Sequence, residues 1–135
     1  MESTARYTLG KKERLKSRKA IEHLFAEGRS LSLFPFRVIW KNVAADTVLQ
    51  AAFSVSKKNF KKATERNRIK RLMREAYRLQ KNGLQDHLAE KKQSLNIFIV
   101  YTGNEIPPYD LVYEKMNTVV KKLLKLLNEN TAAGT

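Results

Sequence analysis

The chain has 135 residues, 42% of them hydrophobic, with 27 Lys or Arg against 13 Asp or Glu and a formal net charge of +14. That length and apolar content predict one folded domain with a core of its own and exclude a disordered basic tail, while the charge predicts a polyanionic partner. The absence of cysteine excludes disulfides, thiolate nucleophiles and Cys-type zinc sites, and no apolar run approaches the ~18 residues of a membrane span.

Residues 1 to 14 are polar and basic and read as an extended arm whose cations can reach RNA; Met1 to Gly10 has no signal-peptide core. These features predict a cytoplasmic protein that engages no membrane. Ser17 is an N-cap for a helix over Arg18 to Glu27, with Gly28 as its stop and Ile21, Leu24 and Phe25 on its apolar side. From Leu31 the period becomes two: Phe34, Phe36, Val38 and Trp40 alternate with Pro35, Arg37, Ile39 and Lys41, which predicts one strand with Phe36, Val38 and Trp40 towards the core. Asn42 to Thr47 reads as a hairpin connection to a second strand, Val48 to Ser56. There Leu49, Ala51, Phe53 and Val55 alternate with Gln50, Ala52, Ser54 and Ser56.

Between Lys57 and Lys81 there are eleven Lys or Arg against two acids, Glu65 and Glu75. Apolar residues recur in the same stretch at Ile69, Leu72, Met73, Ala76 and Tyr77, the spacing of one helix face, so the segment is a folded helix starting near Lys62 or Ala63. At about 100° per residue, Arg66, Asn67, Lys70, Arg71, Arg74, Arg78 and Lys81 fall within roughly 140° of arc beside that apolar stripe. A charged helix face is ordinarily just solvated. Here like charges at i, i+4 (Arg66 with Lys70, Lys70 with Arg74, Arg74 with Arg78) each destabilise the helix by a few tenths of a kcal/mol, which favours a ligand over mere solvation. The arginine fork also suits phosphate better than an ammonium does.

Asn82 and Gly83 read as a left-handed stop. Leu84 to Lys92 reads as a short helical turn, and residues 95 to 102 as a strand buried on both faces. After a turn at Gly103 to Pro108, a last helix runs from Tyr109 or Asp110 to Leu127. Val112, Met116, Val119, Val120, Leu123, Leu124 and Leu127 lie inside it, and Lys121, Lys122 and Lys125 outside. The order α-β-β-α-β-α predicts an α+β, single-domain α/β sandwich with a mixed sheet, folded over about residues 8–128 with tails at 1–7 and 129–135. His23 and His87 each stand apart from any set that would complete a zinc site, and His23 reads as a surface or boundary residue.

The run SVSKK (54 to 58) followed by ERNRIKRLMREAYR (65 to 78), with its Arg-Asn-Arg triplet, resembles the protein subunit of bacterial ribonuclease P. The similarity extends upstream through LKSRKAIEHLFAEG (15 to 28) and downstream through the buried strand and last helix. It implies a ribonucleoprotein endoribonuclease that removes the 5′ leader of precursor tRNA, a ribosomal-protein-S5-domain-2-like fold, and a left-handed β-α-β crossover. It further implies that catalysis and its Mg²⁺ belong to the RNA subunit, so that the protein supplies no catalytic residue, no metal site and no site for a small-molecule substrate.

By position, the resemblance assigns Lys57, Lys58, Arg66, Asn67, Arg68, Lys70, Arg71 and Arg74 to the RNA subunit. Ile21, Phe25, Arg37, Ile39, Ser54 and Ser56 are assigned to the leader cleft. Ile21 stands where relatives often carry an aromatic, which suggests apolar contact there instead of base stacking. The alternative is a ribosomal or other structural RNA-binding protein, which shares small size, high charge and an α+β fold. DNA binding is disfavoured because no second short helix sits three or four residues from the basic one, as a helix-turn-helix requires. A stand-alone nuclease is disfavoured because the scattered acids form no recognisable two-metal cluster.

Overall fold

The computed structural model describes residues 11–44 and 47–133; Met1 to Gly10, Ala45, Asp46 and 134–135, and with them most of the expected arm, all of the expected N-terminal tail and the end of the C-terminal one, lie outside the described residues. The elements are α1 (Arg18–Glu27), β1 (Arg29–Leu33), β2 (Phe36–Val43), β3 (Leu49–Val55), α2 (Ala63–Gln80), α3 (Asn82–Glu90), β4 (Ser94–Tyr101) and α4 (Tyr109–Ala133). The four strands make one mixed sheet in the order β1-β2-β4-β3, with β2 antiparallel to β1 and β4, and β3 parallel to β4.

This is the expected α+β architecture with two additions, β1 and a 3-10 turn at Lys11–Glu13 where an extended arm was expected; the short helical turn expected over Leu84 to Lys92 is the nine-residue α3. The single strand anticipated from Leu31 onward is a hairpin, in which Leu33 faces Phe36 across a two-residue turn at Phe34 and Pro35. Alternation survives such a turn, so the pattern of Leu31, Leu33, Phe36 and Val38 continues while the chain reverses. The hairpin expected between β2 and β3 is absent, because β4 lies between them. The near-continuous apolar run of β4 explains this: Leu95, Ile97 and Ile99 are fully buried, and only a central strand supplies neighbours on both edges and cover on its helix face.

Helices cover the two sheet faces unequally. On one face Phe36, Val38, Trp40, Leu49, Ala51, Val55, Leu95, Ile97, Ile99 and Tyr101 form a single core with Ile69, Met73, Ala76 and Tyr77 of α2, Leu84 and Leu88 of α3, and the inner side of α4. On the other face a small cluster of Leu15, Leu24 and Ile39, flanked by Ala20, Ile21, Ala52 and Phe98, is covered by α1.

Gly83 is not the left-handed stop expected from sequence. No described glycine has positive φ, and Gly83 lies inside α3, where a Cβ would meet nothing. Gly28 does end α1, but through close approach: its N–H donates to the Leu24 carbonyl at 2.7 Å, and a Cβ there would collide with that same oxygen. The C-terminal helix continues to Ala133, past the end expected at Leu127 and into the expected tail.

Candidate nucleic-acid interface

The stretch between β3 and α2 is a pinned turn. The Ser56 hydroxyl accepts the Lys58 N–H at 3.2 Å, the Ser56 carbonyl accepts the Phe60 N–H at 3.1 Å, and Asn59 Nδ2 donates to the Gly103 carbonyl at 3.2 Å. Phe60 is buried in the main core. Lys57 and Lys58 are thereby held outward at a fixed place at the end of the sheet.

Along α2 the basic row divides. Asn67, Arg68, Arg71 and Arg74 are exposed and Lys70 is half-buried, so these point away from the core made by Ile69, Met73, Ala76 and Tyr77. Arg66 is half-buried, and its guanidinium donates to the carbonyls of Phe60 at 2.7 Å and Lys61 at 2.8 Å. α2 has no side-chain N-cap, and Arg66 ties its first turn to the preceding loop. Arg78 forms a two-point pair with Glu75, at 3.1 and 2.6 Å. That hydrogen bonding holds the Glu75 carboxyl below its ordinary range and raises the Arg78 guanidinium.

Lys81, counted in the arc from sequence, is not on that surface. It is 2% exposed and ion-paired with Glu13.

The half-covered sheet face carries the second surface. Strand register aligns Ser32, Arg37, Val100 and Ser54 in one cross-strand row and Ser30, Ile39, Phe98 and Ala52 in the next. α1 closes over the second row. Ile39 is 4% exposed beneath it and shapes the floor from below, Ile21 is half-buried at the side, and Phe25 is 51% exposed. The Phe25 ring stands edge-to-face against Phe98, with centroids 4.9 Å apart. The first row lies beyond the small cluster under α1, with Arg37 exposed and Ser54 half-buried, and it leads to Ser56 and the pinned loop.

Phe98 and Val100 escaped sequence reading. Their strand looks buried on both faces, and only its register shows that these two positions look onto the thinly covered side. The available signal was parity, since Phe98 and Val100 alternate with the core residues Ile97, Ile99 and Tyr101.

Among the described residues no group of three or more His, Asp or Glu comes together. No helix among the described residues is long and apolar enough to cross a membrane.

A basic helix behind a pinned basic loop, joined to a strand whose other neighbours form a half-open sheet face, defines a small, strongly basic α+β protein of the RNA-binding kind. The ribonuclease P family model matches residues 9–125, and the chain belongs to the ribonuclease P protein family, the protein components of a tRNA-processing ribonuclease. It is 36% identical over 128 residues to the ribonuclease P protein component of Porphyromonas gingivalis, covering 93% of this chain and 91% of that one. Identity to the protein component of Chlorobium phaeobacteroides is 32% over 128 residues, covering 86% and 88%. Among solved structures, the RNase P protein of Staphylococcus aureus shares the fold with a TM-score of 0.64 at 21% identity, over 82% of this chain and 94% of that one. The RNase P protein from Thermotoga maritima aligns with a TM-score of 0.50 at 29% identity, over 87% and 96%.

Proposed function

We propose that this chain is the cytoplasmic protein subunit of a ribonucleoprotein ribonuclease P. In this reading it binds the catalytic RNA through Lys57, Lys58 and the exposed side of α2. It binds the 5′ leader of precursor tRNA across the open sheet face, and so assists release of the mature tRNA 5′ end. The observation that carries the reading is the division of surfaces: an outward row of cations without ion partners among the described residues (Arg68, Arg71, Arg74) on one element, and on another an exposed aromatic and a half-open row of Arg37, Val100 and Ser54.

The chemistry on the protein side is positioning. Arginine and lysine neutralise phosphates and release counterions, which dominates affinity without reading sequence. Phe25, with Phe98 at its edge, offers a π-face to an unpaired base, and Arg37 and Ser54 offer donors to the strand passing beyond it. Hydrolysis and the Mg²⁺ that supports it are assigned to the RNA in this reading. No residue here is given a catalytic role.

Reconstitution with the RNA subunit from the same source tests this. Adding the chain should raise cleavage of precursor tRNA, most of all at low Mg²⁺, where other cations relieve phosphate repulsion. The gain should be larger for substrates with a leader than for those trimmed close to the cleavage site. A chain that co-sediments with ribosomal subunits and leaves cleavage unchanged at every Mg²⁺ concentration would sink the proposal.

A further inference from the structure

The segment ahead of α1 is anchored along the free edge of β3. Leu15 N–H donates to the Ala51 carbonyl at 2.9 Å, Gln50 Nε2 donates to the Lys12 carbonyl at 3.0 Å, and Arg14 forms an isolated parallel bridge with Ala51. Between this segment, β3 and α2 lies a cleft of about 210 Å³ lined by Arg14, Leu15, Lys16, Ala51, Ala52, Phe53 and Arg74. It straddles the sheet edge, because Phe53 packs with the main core and Ala52 with the cluster under α1.

Three cations therefore converge from two separate parts of the chain on one small space that no acid lines. Arg14, Lys16 and Arg74 are all exposed, and no hydrogen bond or ion pair engages them among the described residues. The one acid close in sequence, Glu13, is turned away into its pair with the buried Lys81. Gathering three like charges with no compensating carboxylate opposes folding, and the floor of two alanines leaves room for a group to approach the β3 backbone.

We propose that this cleft is a composite phosphate site, in which Arg14, Lys16 and Arg74 together hold one phosphodiester of bound RNA. The inference rests on the proposed RNA-binding function and adds to it two residues, Arg14 and Lys16, that belong to neither the basic helix nor the open sheet face. It also makes Arg74 a shared group, and it gives the RNA track a way round the edge of the sheet. The phosphate can come from the RNA subunit or from the precursor-tRNA leader.

A double-mutant cycle on the full chain tests it, with affinities measured over a salt series for three ligands: the RNA subunit alone, and precursor tRNA with and without a leader bound to the reconstituted holoenzyme. Lys16→Gln and Arg74→Gln should each weaken binding of the same ligand about tenfold, the scale of a lost charge-assisted contact. Sharing one phosphate, the pair should lose little more than either single variant and lower the salt slope by about one in total. Lys16→Gln with Arg68→Gln, which do not share a phosphate, should multiply to about a hundredfold. Loss with the RNA subunit alone assigns the phosphate to that RNA, and loss only when a leader is present assigns it to the substrate.

All these residues are exposed, so melting temperatures should not fall, and a variant that melts early is replaced by Lys16→Met or Arg74→Met. Multiplicative losses for Lys16 with Arg74, or wild-type affinity in both single variants, overturn the composite site and leave the function standing. A wild-type chain that binds none of the three ligands overturns both.

Discussion

Lys81 and Glu13 are 68 positions apart, and nothing local in the sequence pairs them. The Lys81 ammonium is 2% exposed, and Gln85 Oε1 lies 3.4 Å from it as a second acceptor. Removing one partner of a buried pair costs more than the pair itself contributes, because the other charge is left desolvated. Glu13→Gln, which leaves the buried ammonium without its carboxylate, should therefore destabilise the fold by about 3 kcal/mol in urea unfolding. Adding Lys81→Met to that variant should recover part of the loss, and an equal or greater loss in the double variant would show that the pair is not the cause.

Tyr77 beneath it titrates in the same neighbourhood. Burial, and then the Glu13 carboxylate, push its phenol well above the ordinary 10.0. The folded state thus favours the protonated phenol. Its contribution is complete below pH 10, where folded and unfolded forms are both protonated, and is lost as the pH climbs from 10 towards the higher folded value. Stability should fall above pH 10 by up to about 1.4 kcal/mol per pH unit from this group, and Tyr77→Phe should flatten the slope by that amount. An unchanged slope in Tyr77→Phe would assign the loss to other groups; Tyr101 and Tyr109 are also raised, mainly by burial.

At the scale of the element, α2 shows how one row of like residues is divided between holding and reaching. Arg66 donates to two loop carbonyls while Arg68, one turn face away, donates to none among the described residues. Arg66→Ala should cost about 1 to 2 kcal/mol of stability in addition to any loss of RNA affinity, and Arg66→Lys should not restore it, since a single ammonium cannot span both carbonyls as the fork does. Arg68→Ala should leave stability within about 0.5 kcal/mol. Equal stability losses in Arg66→Ala and Arg68→Ala would refute this division.

The helix itself, the buried strand and the inner side of α4 were legible because apolar periodicity reports burial directly, and each of those elements is long enough to repeat its pattern. What the pattern could not carry was the partner of each polar group. Arg66 and Arg68 look alike until the Phe60 and Lys61 carbonyls are placed beside one of them. Phe34 and Phe36 look like one alternating strand until Pro35 turns the chain and leaves Phe34 76% exposed. The place of β4 between β2 and β3 was implicit in its two-sided burial, but strand order is a long-range choice that a hairpin-length connection after Val43 conceals.

For the molecule as a whole, the governing quantity is the net charge of +14. The ion pairs between the described acidic and Lys or Arg side chains are few and include Glu27 with Lys41, Glu75 with Arg78, and Glu13 with Lys81. Most of the positive charge is uncompensated and repels itself across a molecule small enough for those repulsions to be felt at low ionic strength, where the Debye length is about 30 Å at 0.01 M. Raising the salt to about 0.15 M shortens that length to about 8 Å and relieves the repulsion. The same change weakens RNA binding, because each counterion released into a saltier solution gains less entropy. Stability of the free protein and affinity for RNA should therefore move in opposite directions along one salt series: the melting temperature rises between 0.01 and 0.15 M NaCl while log K for RNA falls linearly with log salt. Substituting Lys57, Lys58 and Arg71 together by Gln should flatten both curves, since these exposed cations contribute to the repulsion and to the counterion release alike. If the melting temperature falls with salt while RNA affinity also falls, specific ion pairs outweigh the net charge, and the view of this fold as a frame held against its own field fails.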